Sequence, residues 1–122
     1  MKKHIEMRLA DGATLSDIKA DVMQAAINTA LVACHGNQTK ASKLLEINRW
    51  TMRKWLNDTS NRTYKPFEQV ALCVGNSTAK EMLTEAYMEA VSQVMQTNNN
   101  ATLAAEILNC QRGTVRKYMV KP

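Results

Sequence analysis

Gly36 to Leu56, GNQTKASKLLEINRWTMRKWL, is the stretch that decides the fold. It reads as two short helices joined by a tight turn. Asn37 is a good N-cap, because its side-chain oxygen can accept a first-turn backbone N–H, so a helix is expected from Gln38. Ala41, Leu44 and Leu45 then fall at i, i+3 and i+4 on one face. Glu46-Ile47-Asn48 breaks the run, and Asn48 can cap a second helix over Arg49–Leu56. Met52, Trp55 and Leu56 are expected on its inner face, which leaves Arg49, Trp50, Arg53 and Lys54 outside. Ala41 is small enough for the second helix to cross the first closely. A short helix with a basic outer face, packed across another, is the helix-turn-helix arrangement that presents a recognition helix to the DNA major groove.

The pattern occurs again at Asn100–Met119, NATLAAEILNCQRGTVRKYM. The offset is 63 positions, the separation of Arg49 and Arg112. It pairs Asn37 with Asn100, Thr39 with Thr102, Ala41 with Ala104 and Leu45 with Leu108. It also pairs Thr51 with Thr114, and Arg53-Lys54 with Arg116-Lys117. Leu44, Met52 and Leu56 become Ile107, Val115 and Met119, all still apolar. A second copy of a loose helical pattern is far less easily produced by chance than one copy.

These strings carry a resemblance. GNQTKA, then INR, then T-x-R-K with a closing Leu, resembles the DNA-binding motif of the Fis-type helix-turn-helix family. The second copy, through LNCQRGTVRKY, resembles the NinH group of small Fis-like phage proteins. The resemblance is specific within residues 36–56 and 100–119 and silent on residues 1–15 and 57–77. One departure stands out: Trp50 occupies a position where the Fis pattern has glycine, whereas the second copy keeps Gly113.

Roles follow for the outer residues. Arg49 and Arg112 stand at the N-termini of the two recognition helices, and Arg is the usual bidentate partner of guanine. Asn48 and Gln111, next to them, can read adenine or bond phosphate. The Fis resemblance implies phosphate contacts at Asn37, Thr39, Thr51 and Lys54, and at Asn100, Thr102, Thr114 and Lys117. Arg53 and Arg116 lie a turn further along and can reach base or backbone. Trp50 can press on a thymine methyl or a sugar, or belong to a protein contact. Trp55, matched by Tyr118, is expected in the core or at its rim.

Composition agrees with a helical, anion-binding chain. In 122 residues, 45% are hydrophobic and only 5% aromatic, with four Gly and two Pro. That favours helices over sheet. The net charge is +5 and the pI about 9.3, which suits an anionic partner, and the Arg and Lys gather on both recognition helices. The three cysteines, Cys34, Cys73 and Cys110, form no C-x-x-C, and neither His4 nor His35 completes a ligand spacing. They are expected as buried reduced thiols, with no metal and no cofactor. No Gly-rich phosphate loop or positioned nucleophile is present, so no enzyme is expected. No apolar run is long enough to span a membrane, and no signal peptide is read at the N-terminus. A bacterial cytoplasmic, nucleoid-associated location follows as the expectation.

Elsewhere the chain is read more coarsely. Ile5, Met7 and Leu9 alternate with Glu6 and Arg8, which suits a short strand, a frayed arm or a helical turn equally. Thr14-x-x-Asp17 or Ser16 can start a helix running to Cys34. Its stripe is Ile18, Val22, Ala25/Ala26, Thr29 and Val32/Ala33. Asn57–Lys65 reads as a polar linker whose Arg62 and Lys65 can touch phosphate. Pro66 suits the start of a short helix ending near Val74. Thr78 with Glu81 forms a capping box for a long helix to Gln96. The expected fold is all-α: two helix-turn-helix units in tandem, each preceded by a long helix. Their boundaries are 1–57 and 78–122, with a linker at 58–77.

The expected function is sequence-selective binding of double-stranded DNA, as a phage or prophage transcriptional regulator inserting helices 49–56 and 112–119. The alternatives are an architectural DNA-bending protein, and an adaptor that uses one motif to dock on host transcription machinery. In the Fis-like arrangement the long helices form the dimer core, so here they are expected to pair either within the chain, as a pseudo-dimer, or between two chains, as a homodimer.

Overall fold

The computed structural model describes residues 1–57 and 67–119. Among them the chain is all-α. The helices are α1 Lys2–Ala10, α2 Leu15–Ala33, α3 Gln38–Leu45, α4 Arg49–Leu56, α5 Glu68–Cys73, α6 Ala79–Asn98, α7 Ala101–Leu108 and α8 Arg112–Tyr118. The linker residues 58–66, with Arg62, Lys65 and Pro66, lie outside the described residues.

Local sequence explains most of the boundaries. Of the starts open to α2, the chain uses the capping box at Thr14. Thr14 N–H donates to Asp17 Oδ2 at 2.9 Å, and Asp17 N–H donates back to Thr14 Oγ1 at 3.4 Å. Thr78 and Glu81 do the same for α6, at 2.9 and 3.2 Å. The Thr78 backbone N–H, then its hydroxyl, hold the Glu81 carboxyl below its ordinary range. At the end of α2, His35 (φ 53°) and Gly36 (φ 81°) are both left-handed. Gly36 N–H reaches back to Leu31 O at 2.8 Å, which closes the helix and turns the chain toward α3.

The N-terminal segment, ambiguous in sequence, is the helix α1, with Ile5 and Arg8 buried. Alternation in so short a run could not separate period two from a single helical face. The α2 stripe ends earlier than its sequence suggests, since Val32 is 78% exposed. The cysteines are half-buried and not fully buried, and all three are free thiols.

The chain forms two compact units. One comprises residues 20–83, with most of α2, then α3, α4, α5 and the start of α6. Its buried apolar residues include Val22, Met23, Ala26, Ile27, Ala41, Leu45, Met52, Val70 and Met82. The other comprises residues 1–19 and 84–122, with α1, the start of α2, the rest of α6, α7 and α8. Its buried apolar residues include Ile5, Ile18, Ala86, Val91, Val94, Ala104, Leu108 and Val115.

Candidate nucleic-acid interface

The first motif is built from α3 and α4, which pack on each other. Asn37 caps α3, its Oδ1 accepting from Lys40 N–H at 3.1 Å. The helix ends at Glu46 in the left-handed region (φ 56°, ψ 43°), and Ile47 N–H returns to Ser42 O at 3.0 Å. Ser42 is buried and gives its hydroxyl to Thr39 O at 2.9 Å, so no polar atom of it faces the packed side unsatisfied. Asn48 then caps α4, accepting from Thr51 N–H at 2.7 Å. Met52 is the fully buried anchor of α4. Trp55 is half-buried, while Leu56, expected inside, is 36% exposed at the last helical position.

Gln24 was not singled out by the sequence, yet it helps set α4. Its Nε2 donates to Trp55 O at 3.0 Å, joining α2 to the C-terminal turn of α4. Carbonyls in the last turn of a helix lack an i+4 N–H within it, so the bond adds to the capping of α4, where the Asn57 N–H also faces Trp55 O. The only signal in the sequence is a polar residue beside an apolar stripe.

The outer face of α4 is open. Arg49, Trp50, Arg53 and Lys54 are all exposed, and Trp50 is 71% accessible. Lys54 Nζ lies 5.9 Å from the centroid of the Trp50 ring, one helical turn along. Asn37, Thr39 and Asn48 are exposed, and Thr51 is half-buried. Lys40 and Lys43 on α3 are exposed as well, adding charge that the sequence reading had not assigned.

The second motif pairs α7 with α8. Asn100 caps α7 by accepting from Thr102 N–H at 2.8 Å and Leu103 N–H at 3.4 Å. Asn109 is left-handed (φ 54°, ψ 51°), and Cys110 N–H returns to Ala105 O at 2.9 Å. Gln111 precedes α8 without a side-chain capping bond. Val115 is buried, and Tyr118 meets Tyr87 edge to face at 5.2 Å between centroids. Ile107 and Met119, expected inside, are 45% and 39% exposed, and α8 ends at Tyr118. Burial pushes the Cys110 thiol up, so it stays a neutral, weakly nucleophilic group.

Gln111, Arg112, Arg116 and Lys117 are exposed around α8, as are Asn100 and Thr102, with Thr114 half-buried. Arg112 Nη1 donates to Thr102 Oγ1 at 3.3 Å. Among the described residues Arg49 makes no such bond. The two motifs also differ in what their first helices expose. α3 presents Lys40 and Lys43, where α7 presents Leu103 and Glu106.

Among the described residues no cluster of His, Cys, Asp and Glu has the arrangement of a metal site, and no helix is long and apolar enough to cross a membrane. The chain matches no curated protein and no solved structure. Residues 20–57, which run from within α2 through α3 and α4, match the family model of the bacterial regulatory proteins of the Fis family.

Proposed function

We propose that this protein binds double-stranded DNA sequence-selectively and acts as a transcriptional regulator, with α4 and α8 as its recognition helices. The observation that carries the reading is the exposed cationic face of α4, Arg49, Arg53 and Lys54, within the segment that matches the Fis family. Exposed Arg at the start of a helix that crosses another is the geometry of base reading in the major groove.

The reading extends to two motifs in tandem, with residues 1–57 and 78–122 as the repeated halves and 58–77 between them. Supporting it is the shared order of an Asn cap, a left-handed residue and an exposed Arg at the start of the next helix, 63 residues apart. Each motif would then occupy one half-site, and the half-sites would differ, because Trp50 and Asn48 in one correspond in sequence to Gly113 and Gln111 in the other. The NinH-like second motif supports a phage or prophage setting in a bacterial cytoplasm. The Fis-like pattern supports a homodimer through the long helices.

A footprint on duplex DNA at fixed salt tests this reading. Wild type is compared with Arg49→Ala/Arg53→Ala and with Arg112→Ala/Arg116→Ala. Each double variant should lose protection over a different half of the site. A wild type that protects no sequence above random DNA would sink the regulatory reading in favour of an architectural one.

A second reading has its own observation. Leu103 and Ile107 are each 45% exposed on one face of α7, with Glu106 beside them. An apolar, acidic face suits a protein better than phosphate. If the α8 double variant leaves the footprint intact, the second motif is a docking module, for instance for host transcription machinery.

A further inference from the structure

Among the described Phe, Tyr and Trp residues Trp50 is the one exposed ring. At 71% exposure it contributes nothing visible to the core. It is the second residue of α4, between Arg49 and Thr51, and the Lys54 ammonium stands 5.9 Å from its centroid. An indole on the outer face of a cationic helix gains most where something apolar covers it and anions surround that contact.

The DNA major groove offers one such feature. Thymine presents its C5-methyl there, with the O4 acceptor next to it. Indole has an apolar body and a single donor, Nε1–H. Cytosine lacks the methyl and presents an amino donor, which would oppose Nε1–H. Guanine presents acceptors without an apolar group. Thymine therefore matches both parts of the ring.

Resting on the DNA-binding reading above, we propose that Trp50 is a thymine-reading residue. Its ring packs on a thymine C5-methyl in the half-site of α4, with Nε1–H directed at O4. Lys54 holds the ring from the adjoining turn and keeps its charge for the neighbouring phosphate. The second motif has Gly113 at the matching position, where a Cβ would meet nothing within 4 Å. That motif has no thymine reader of this kind, and it has room to receive one.

The test starts with selection of sites from a randomised duplex DNA pool by the full chain at fixed salt. The selected duplex is then remade with deoxyuridine for thymine, which removes the C5-methyl alone. Wild type should lose roughly fourfold in affinity, about 0.8 kcal/mol, the worth of one buried methyl group. Trp50→Ala should bind both duplexes equally, with unchanged helical circular dichroism. Trp50→Phe, which keeps an apolar ring, should retain part of the thymine preference and carries the comparison if Trp50→Ala binds neither duplex. Gly113→Trp should add a new thymine preference in the other half-site.

Equal binding of the two duplexes by wild type overturns the proposal and leaves Trp50 to a sugar or a protein contact. A full thymine preference kept by Trp50→Ala also overturns it, because another group then reads the methyl. If selection enriches no sequence, the DNA-reading role itself falls, and that result is seen before any uridine is introduced.

Discussion

Arg112 Nη1 donates a 3.3 Å hydrogen bond to Thr102 Oγ1, tying the first residue of α8 to the first turn of α7. The bond joins a candidate base-reading group to a candidate phosphate-binding one. It holds the guanidinium toward one side in the free protein. Preorganisation of this kind lowers the ordering cost of binding.

The tie should appear as an energetic coupling. In a double-variant cycle, Thr102→Val and Arg112→Ala should be non-additive in DNA affinity by about 0.5–1 kcal/mol. The matching cycle at Thr39→Val and Arg49→Ala should be additive within about 0.5 kcal/mol. Equal coupling in both cycles would show that the bond has no bearing on binding.

Base reading and phosphate binding should separate by their salt dependence. Arg49→Ala or Arg112→Ala is expected to cost about 1–3 kcal/mol on a selected site and to relax preference at one base pair. Lys54→Ala or Lys117→Ala should weaken all sequences alike and flatten the slope of log affinity against log salt by about one. Binding titrations on selected and random duplexes across a salt series measure both.

Asn48 and Gln111 stand at matching positions and do different things. Asn48 Oδ1 is engaged by Thr51 N–H at 2.7 Å, so one of its two acceptor sites is already used and the side chain is held at the helix start. Gln111 makes no side-chain capping bond. Asn48→Ala should therefore lower thermal stability by about 1 kcal/mol. Gln111→Ala should leave stability within about 0.5 kcal/mol and reduce discrimination in its half-site. Thermal unfolding and binding, measured side by side, distinguish the two.

Tyr87 should make stability fall at alkaline pH. Burial, then the charge Tyr118 carries when ionised, pushes the Tyr87 phenol up to about 12 from its ordinary 10. The folded state holds that proton more tightly than the unfolded state. Its stabilising effect is thus complete below pH 10 and is lost progressively as pH rises from about 10 to about 12. Tyr87→Phe keeps the ring against Tyr118 and should flatten this part of the profile. Midpoints of thermal unfolding between about pH 8 and 12 check it, with the phenolate absorbance as an independent readout.

The sequence by itself determined the local events. Asn37, Asn48 and Asn100 are caps, and Thr78 with Glu81 is a capping box, because such bonds close within three residues of chain. Helical periodicity placed Ala41, Leu45, Met52, Ala104 and Leu108 inside for the same reason, since i, i+3 and i+4 lie on one face wherever the helix goes. Which side chains at the ends and rims of those faces are covered depends on neighbours distant in the chain. So Leu56, Ile107, Met119 and Val32, all apolar and in register, proved exposed. The same holds for the polar contacts. Gln24 finds Trp55 O across 31 residues, and Arg112 finds Thr102 across a helix crossing. No periodicity encodes a hydrogen bond between two separate elements. Only the packed tertiary structure decides that Arg112 is tied to Thr102 and that Gln24 reaches the end of α4.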